Sequence, residues 1–412
     1  MAGDSTTKAH SIRRLGSVNQ LEKHLIRATA VLVGIGVVMV TSASAPQQTR
    51  SISLWMFFLK QAVFLLFGFV GFVIASRVSK AHLTRLARLA MTVSLILLLL
   101  VANYGQSSYG AKRWLGKGIF RFQPSEIFKL SLCIFVGVVV ARYERRTSQW
   151  RGVAWQLFPI SLGVGLIVLE RDIGTNAVVL SIVLGMLFVA GLPRTAIYWS
   201  LGLGVLGFLG YLGTHAYAYG RLVGFLSPHA NPDYYYQISQ SKISLGAGGL
   251  FGLGMNGDHG KWGFLPNAHT DFIFSVIGEE YGLLGTVVVL LLFVWLIRTG
   301  IQVAQASTDR ANSLIAFGIT TWFAVEMIIN VCSVVQWLPV TGIPLPFISG
   351  GGTALIVDLT GVGFLVNIAR EIGSFDSNQS DTPPTRPRQA ARTSTRSRQS
   401  PLAVARERRS RA

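Results

Sequence analysis

Cysteine is scarce in this sequence. The chain of 412 residues has two, Cys133 and Cys332, and both lie inside apolar runs. Two such thiols cannot form a disulfide framework, and no Cys/His spacing typical of a zinc site accompanies them. A Ser-His-Asp or Cys-His catalytic arrangement is also lacking. We therefore exclude a disulfide-stapled fold and predict no resident metal site.

Charged residues are also few. They make up 13% of the chain, whereas 50% of its residues are hydrophobic, a poor balance for a soluble protein of this size. Apolar stretches close to the roughly 20 residues needed to cross a bilayer recur throughout. We predict an all-α polytopic integral membrane protein with about ten transmembrane helices. The apolar segments run near 25–43, 53–75, 84–103, 124–141, 155–169, 175–192, 195–213, 271–297, 311–335 and 347–369.

Acidic residues are outnumbered by basic ones, 18 to 37, which gives a formal net charge of +19. The excess lies in an Arg-rich C-terminal tail and in short loops, a pattern typical of membrane topology and of attraction to acidic lipids rather than to nucleic acid. The positive-inside tendency places both termini in the cytoplasm. We predict a basic N-terminal tail over 1–24, a membrane domain over 25–370 and a disordered tail over 371–412.

Two segments predicted to lie outside the membrane stand apart. The loop "YGAKRWLGKGIFRFQPSE" is basic although it lies on the outer side, either because it binds an anion or because topological pressure there is weak. The segment 214–270, between the seventh and eighth predicted helices, is long and rich in Gly and Tyr. We expect it to fold against the membrane or to dip into it. Its glycines do not form a nucleotide-binding loop, since no Gly-Lys-Ser/Thr follows them. They indicate turns and close packing instead.

Ionisable residues converge at the outer boundary. Asp271 opens the helix near 271–297, and Glu126 and Lys129 share one face of the helix near 124–141 at spacing i,i+3. Asp172 lies at another outer helix end. Each has a structural alternative: Asp271 could cap its helix, and Glu126 with Lys129 could be a structural ion pair. Together, however, they predict a single pocket.

A carboxylate base beside a cationic loop suits chemistry on an anionic, lipid-linked substrate. The base would activate a hydroxyl, and the cations would neutralise a phosphate leaving group. Two other classes stay open. A transporter or flippase for such a lipid would have charges near the midplane and inverted repeats. A scaffold that recruits an enzyme would be indifferent to loss of the carboxylates.

Five sequence blocks, in order along residues 25 to 370, resemble the SEDS family of bacterial cell-wall polymerases (shape, elongation, division and sporulation). They are "RWLGKGIFRFQPSEIFKL", "ERDIGT", "YQISQSKISLGAGGLFGLG", "LPNAHTDFIFSVIGEE" and "LPVTGIPLPFISGGGTALI". The resemblance implies a ten-helix glycosyltransferase that polymerises lipid II at the outer face of the membrane. It also implies a loosely bound divalent cation, Mg²⁺ or Mn²⁺, as the one cofactor to expect.

The resemblance also implies roles for individual residues. Asp271 would be the catalytic base that deprotonates the acceptor sugar, with Glu126 and Lys129 as further catalytic residues. The expected substrate-binding residues are Arg113, Lys117, Asp172, His269, Gln240 and Ser349. A class B penicillin-binding protein that crosslinks the strands is the implied partner, together with lipid II, other divisome proteins and membrane lipids.

The chain departs from the family pattern in two blocks. "ERD" stands where Gln-Pro-Asp is usual, which puts a cation beside Asp172, and "ISGGGTA" replaces the usual Ser-Tyr-Gly-Gly-Ser. "KWGFLPNAHTDF" resembles the division-type branch of the family, whereas "GIPLPFIS" resembles the elongation-type branch. We favour the division type, which implies a location in the bacterial cytoplasmic membrane at the septum.

Overall fold

The computed structural model describes residues 3–44, 54–108, 111–116, 118, 121–142, 156–191, 198, 202, 204, 207, 210–213, 216–227, 232–255 and 265–380. In these ranges the fold is α-helical apart from one short hairpin. The elements are α1 (Gly3–Ser44), α2 (Leu54–Ala75), α3 (Lys80–Tyr104), β1 (Gln106–Ser108), β2 (Ala111–Trp114), α4 (Pro124–Arg142), α5 (Phe158–Leu169), α6 (Ile173–Val189), α7 (Ala216–Leu226), α8 (Pro232–Ala247), α9 (Ile273–Ala306), α10 (Arg310–Val334) and α11 (Gly352–Ser380).

Among the described residues, seven helices are long and apolar enough to cross a membrane: Gln20–Ser44, Phe58–Ala75, Lys80–Tyr104, Pro124–Arg142, Ile273–Ala306, Arg310–Val334 and Gly352–Gly373. The predicted segments 155–169 and 175–192 appear as the shorter apolar helices α5 and α6. Most of the predicted segment 195–213 lies outside the described residues. The prediction of a polytopic helical membrane protein is confirmed.

Helices α4 and α11 are the most enclosed of the spanning helices. α4 packs between α3 and α10, and α11 packs against α2 and α1. α3, by contrast, turns Leu89, Ile96 and Leu99 outward, as expected for a helix that faces lipid. Because the enclosed helices carry buried carboxylates and a lysine, the bundle encloses charge at its centre.

The basic loop before α4 forms a hairpin that the sequence did not predict. β1 pairs antiparallel with β2, and an isolated bridge joins Leu115 to Phe122. Arg121 stacks over the ring of Trp114, with 4.5 Å between the guanidinium carbon and the ring centroid. Strands of three and four residues are too short to give a recognisable alternation of apolar and polar residues, so the sequence showed only a loop.

Helix α9 is broken at Gly282, whose φ of 66° and ψ of −161° interrupt the helical path. The end of the Gly-rich segment lies against this break. Its Leu253 and Gly254 amides donate to the carbonyls of Glu279 (2.8 Å) and Glu280 (3.0 Å). A Cβ at Gly252 would lie 2.2 Å from the Glu280 carbonyl oxygen, so only glycine permits this approach. The predicted close packing of the glycines in this segment is thereby confirmed at Gly252.

The predicted tails are only partly described. α1 begins at Gly3, so the segment predicted as an N-terminal tail is continuous with the first spanning helix. α11 continues to Ser380, ten residues into the segment predicted to be disordered. Proline interrupts a helix, and the first prolines of that segment are at 383 and 384, beyond Ser380. The helix can therefore continue past residue 370. Residues 381–412 lie outside the described residues.

Candidate active site

Asp271 lies in the turn that leads into α9. The turn is closed by the amides of Thr270 and Phe272, which both donate to the Asn267 carbonyl, and Asn267 itself has a left-handed φ of 57°. Phe272 is the N-cap residue of α9, so Asp271 stands one position before the cap. The Asp271 side chain is half-buried, and its backbone carbonyl accepts a hydrogen bond from Asn330 Nδ2 at 2.9 Å. The carboxylate is thus held at the outer helix end by its backbone.

Arg113 from β2 shares a small space with Asp271. A Cβ placed on Gly342 would lie 3.4 Å from Asp271 Oδ2 and 3.6 Å from Arg113 Nη1, so both charged groups border the same point. Gly342 has a φ of 76°, which favours glycine and keeps that space free of a side chain. The structure therefore brings together a predicted base and a predicted phosphate-binding cation.

Asp172 completes a cluster with Asp271 and Arg113, which we call the outer cluster after its predicted side of the membrane. Its Oδ2 lies 3.4 Å from Arg113 Nε and accepts a hydrogen bond from Gln123 Nε2 at 3.3 Å. Its Oδ1 caps α6 by accepting from the Thr175 amide at 3.1 Å, the favoured role of an aspartate at a helix start. Arg113 also donates to the Arg171 carbonyl at 3.3 Å. Arg113 is therefore fixed by two contacts, and its Nη1 faces the space that it shares with Asp271.

The last outer loop is bonded to the Asp271 turn. Ser349 Oγ donates to the Thr270 carbonyl at 2.7 Å and accepts from the Leu345 amide at 2.8 Å. The Gly350 amide donates to the His269 carbonyl at 2.8 Å. Burial, and then the charge of Lys60, lower the pKa of His269, so its ring is neutral at neutral pH. Ser349 and His269 thus position the turn through these bonds.

A second cluster lies in the interior, between α4 and α10. Lys129 pairs with Glu126 at 2.7 Å and with Glu326, and its ammonium lies 5.1 Å from the Trp322 ring centroid. The predicted i,i+3 pair is therefore present. Glu126, Lys129 and Glu326 are each at most 2% exposed, which closes them off from solvent. Such charges are tolerated only because they pair with one another.

Sequence reasoning assigned no role in the site to two residues that link the clusters. Asn330, one helical turn beyond Glu326, bonds the backbone of Asp271 and also the Ile343 carbonyl at 2.9 Å. Asp358 on α11 faces the interior cluster, and its Oδ2 accepts from the Phe347 amide at 3.2 Å. The signal that could have found them is a polar residue inside an apolar helix, which is usually kept for a partner.

Two predicted substrate-binding residues are less closely defined. Lys117 lies outside the described residues. Gln240 is half-buried on α8, and the next residue, Ser241, bonds Ser275 Oγ on α9 at 2.8 Å and the Val334 carbonyl at 2.9 Å. α8 is thereby held against the helix that Asp271 precedes. Within the described part of the chain, no group of three His, Cys, Asp or Glu side chains could hold a metal ion.

Comparison with known proteins gives one consistent group. A family profile for FtsW, RodA and SpoVE, described as cell cycle protein, matches residues 23–373. A probable peptidoglycan glycosyltransferase FtsW from Geobacter sp. (strain M18) is 37% identical over 357 residues, which cover 84% of this chain and 95% of the relative. Stage V sporulation protein E of Bacillus subtilis (strain 168) is 35% identical over 352 residues, which cover 84% and 96%.

Two solved structures of similar fold match most of this chain. A chain of a peptidoglycan synthase complex, described as coordinating polymerization and crosslinking, matches with a TM-score of 0.70 and 29% identity over 84% of this chain and 97% of that chain. The rod shape determining protein RodA of Thermus thermophilus matches with a TM-score of 0.61 and 28% identity over 84% and 96%.

Proposed function

The chain belongs to the FtsW/RodA/SpoVE family, and from that premise we propose that it is a peptidoglycan glycosyltransferase that polymerises lipid II into glycan strands. Relatives of 35–37% identity carry the names of such an enzyme and of a sporulation protein. The observation that carries the proposal is the meeting of Asp271 with Arg113 beside Gly342. The two residues supply a base and an anion-binding cation on either side of one small space.

Asp271 acts as the general base in the proposed reaction. Its carboxylate takes the proton of the 4-hydroxyl on the acceptor sugar, and that oxygen attacks the anomeric carbon of the donor. A new glycosidic C–O bond forms while the bond from the anomeric carbon to the pyrophosphate oxygen breaks. Undecaprenyl pyrophosphate leaves with the bonding electrons. Asp271 then returns its proton to water, which restores the base.

Arg113 stabilises the leaving group. A guanidinium presents donors in a fixed fork, and this one is held by its ion pair with Asp172 and by the hydrogen bond from Nη2 to the Arg171 carbonyl. The remaining Nη1 faces the space that it shares with Asp271. Because Arg113 is anchored before the substrate arrives, little reorganisation is needed when charge develops on the pyrophosphate.

Glu126 and Lys129 act through positioning. Both are closed off from solvent, and Lys129 pairs with Glu126 and with Glu326, so this cluster cross-links α4 to α10 rather than touching the substrate. Gln123, which bonds Asp172, stands directly before α4, and Asn330 on α10 bonds the backbone of Asp271. The interior cluster therefore sets the spacing of the outer one.

A divalent cation requires separate treatment. The described residues offer no three-ligand metal site, and the proposed steps use none. We propose that any requirement for Mg²⁺ or Mn²⁺ arises from a cation carried by the pyrophosphate of the substrate. Chelation should then raise the KM for lipid II and leave the thermal stability of the purified protein unchanged.

Topology and partners complete the proposal. The basic loops and tails support cytoplasmic termini and an active site on the outer face. A chain of similar fold belongs to a peptidoglycan synthase complex that couples polymerization and crosslinking, which supports a class B penicillin-binding protein as partner. The FtsW names of several relatives support a division role at the septum.

Glycan synthesis by the purified protein tests the proposal. The protein is reconstituted in vesicles with its transpeptidase partner and labelled lipid II, and Asp271→Asn is compared with the parent. We expect a loss of polymerisation by roughly a hundredfold or more, with unchanged thermal stability. Glu22→Gln, at the opposite end of the bundle where Glu22 pairs with Arg370, serves as the control.

The same preparation separates the other classes of function. Translocation of labelled lipid II between leaflets, measured without polymer formation, would favour a flippase. Full polymerisation by Asp271→Asn would reject Asp271 as the base. If neither activity were found in the parent while the partner alone made strands, the chain would be a scaffold.

A further inference from the structure

Glu170 is a fully buried carboxyl group beside the outer cluster. It follows the last residue of α5, and its amide closes that helix by donating to the Leu166 carbonyl at 3.1 Å. Its side chain is 0% exposed. Among the described residues, neither carboxyl oxygen has a hydrogen-bond donor. An ionised carboxylate in such a place would lose its hydration without compensation.

The charged groups that act on Glu170, within the described part of the chain, are Asp172 on the same turn and Arg113 from the hairpin. Arg113 is already paired with Asp172. Arg113 therefore faces both carboxyl groups of this turn, and the Asp172 carboxylate is already its partner there. Burial and the neighbouring Asp172 raise the pKa of Glu170 to about 9, against the opposing effect of Arg113.

The backbone around Glu170 differs from the pattern that the family usually shows. Arg171 has a left-handed φ of 61°. Proline, which the family pattern usually has at this position, is locked near −65° and could not adopt it. The turn directs the Arg171 carbonyl at Arg113 Nη2. Glu170 and Arg171 are therefore parts of one local arrangement that holds Arg113.

We propose that Glu170 is a positioning residue that works as a neutral carboxylic acid and thereby keeps the charge of Arg113 available to an anionic substrate. The proposal rests on the polymerase function above and adds a control on substrate binding. When Glu170 is neutral, Arg113 and Asp172 balance each other and Nη1 can still attract a pyrophosphate. When Glu170 ionises, a second carboxylate on this turn faces Arg113, which repels that substrate and draws Arg113 toward the turn.

The state of Glu170 can be measured without any activity. Infrared difference spectra of the parent minus Glu170→Gln, in a detergent without ester groups, isolate the carbonyl band of a protonated carboxyl group. We expect this band at neutral pH and its loss at alkaline pH. Glu22→Gln is the matched control for the substitution, because Glu22 lies far from the outer cluster in an ion pair with Arg370. A spectrum without the band at neutral pH would overturn the proposal.

The consequence for binding is measured as the KM for lipid II against pH. If the ionised form does not bind, the KM of the parent rises about tenfold at one pH unit above the midpoint. Glu170→Gln mimics the neutral acid, so its KM for lipid II should equal that of the parent at neutral pH. Its KM should not rise as the pH is increased above neutral. The kcat should change little in this comparison.

The two tests fail in different ways. If Glu170→Gln shows the same alkaline rise in KM as the parent, Glu170 does not control binding, although the polymerase function stands. If the parent makes no glycan, the proposed function fails, while the infrared result still reports whether Glu170 is neutral. Both the polymerase function and the role of Glu170 are supported if three results are found together. The parent makes glycan, Glu170 is protonated at neutral pH, and the alkaline rise in KM is absent in Glu170→Gln.

Discussion

Lys129 on α4 pairs with Glu326 on α10 in the interior of the bundle, although the two residues are 197 positions apart in the chain. Glu126 is the second partner of Lys129, and Asp358 faces the same cluster. Three acids thus surround one lysine where solvent is excluded. Since removal of one member of a buried pair leaves an uncompensated charge, these residues must be replaced together or not at all.

The first prediction concerns this cluster. Lys129→Met should lower the free energy of unfolding by about 3–5 kcal/mol, because Glu126 and Glu326 lose their shared partner in the bundle interior. Thermal unfolding in detergent, followed by tryptophan fluorescence, measures the loss. The triple variant Lys129→Met, Glu126→Gln and Glu326→Gln should recover most of it. An unchanged melting temperature in Lys129→Met alone would contradict the pairing.

Arg113 gives the second prediction. Arg113→Gln removes the partner of Asp172 and the cation next to Asp271, and we expect kcat/KM for lipid II to fall by about tenfold or more. Lys112→Gln is the matched control, since Lys112 is the preceding residue of the same strand and is exposed. Equal losses in both variants would mean that general basicity of the hairpin matters, rather than the position of Arg113.

The third prediction concerns the break in α9. Gly252→Ala forces a side chain onto a left-handed φ of 83° and to within 2.2 Å of the Glu280 carbonyl oxygen. We expect a loss of about 2 kcal/mol or more in unfolding free energy. Gly246→Ala, in an open position on the exposed side of α8, should be neutral or stabilising by up to about 1 kcal/mol. Comparable melting temperatures for the two variants would count against the close packing.

Glu170 gives a fourth prediction, on stability against pH. Its folded-state pKa of about 9 lies above the ordinary value of 4.5, so the unfolded chain binds fewer protons than the folded chain between these limits. Stability therefore falls as pH rises from about 4.5 to 9. Glu170→Gln removes this cost and should be more stable than the parent by about 3 kcal/mol at neutral pH.

The measurement for Glu170 is the melting temperature in detergent at several pH values. The difference between Glu170→Gln and the parent should shrink toward zero as the pH approaches 4.5, where Glu170 is protonated in both states. Asp309→Asn, at the N-cap of α10, provides a comparison, since Asp309 is partly exposed and ion-paired with Lys80. A difference that stays constant with pH would show that Glu170 is not held neutral.

The active-site residues were only partly accessible from the sequence. Asp271, Arg113 and Asp172 could be proposed because each stands at a helix end or in a loop near one membrane surface, where charge is unusual enough to be noticed. Glu326 and Asn330 could not be assigned partners, because each lies inside an apolar helix whose neighbours are set by packing across the bundle. The hairpin was missed because its strands are too short to show a period.

The sequence by itself determined that this protein is a helical membrane protein, where most of its spanning helices lie, and which charged residues are unusual. These properties follow from local hydrophobicity and length, since a segment of about 20 apolar residues is stable across a bilayer whatever surrounds it. Only the tertiary structure decided which charges meet. Lys129 pairs with Glu326, Arg113 and Asp271 border the same space at Gly342, and Glu170 has no hydrogen-bond donor within the described part of the chain. Such contacts join residues far apart in the chain, and they depend on how the helices pack rather than on any local pattern.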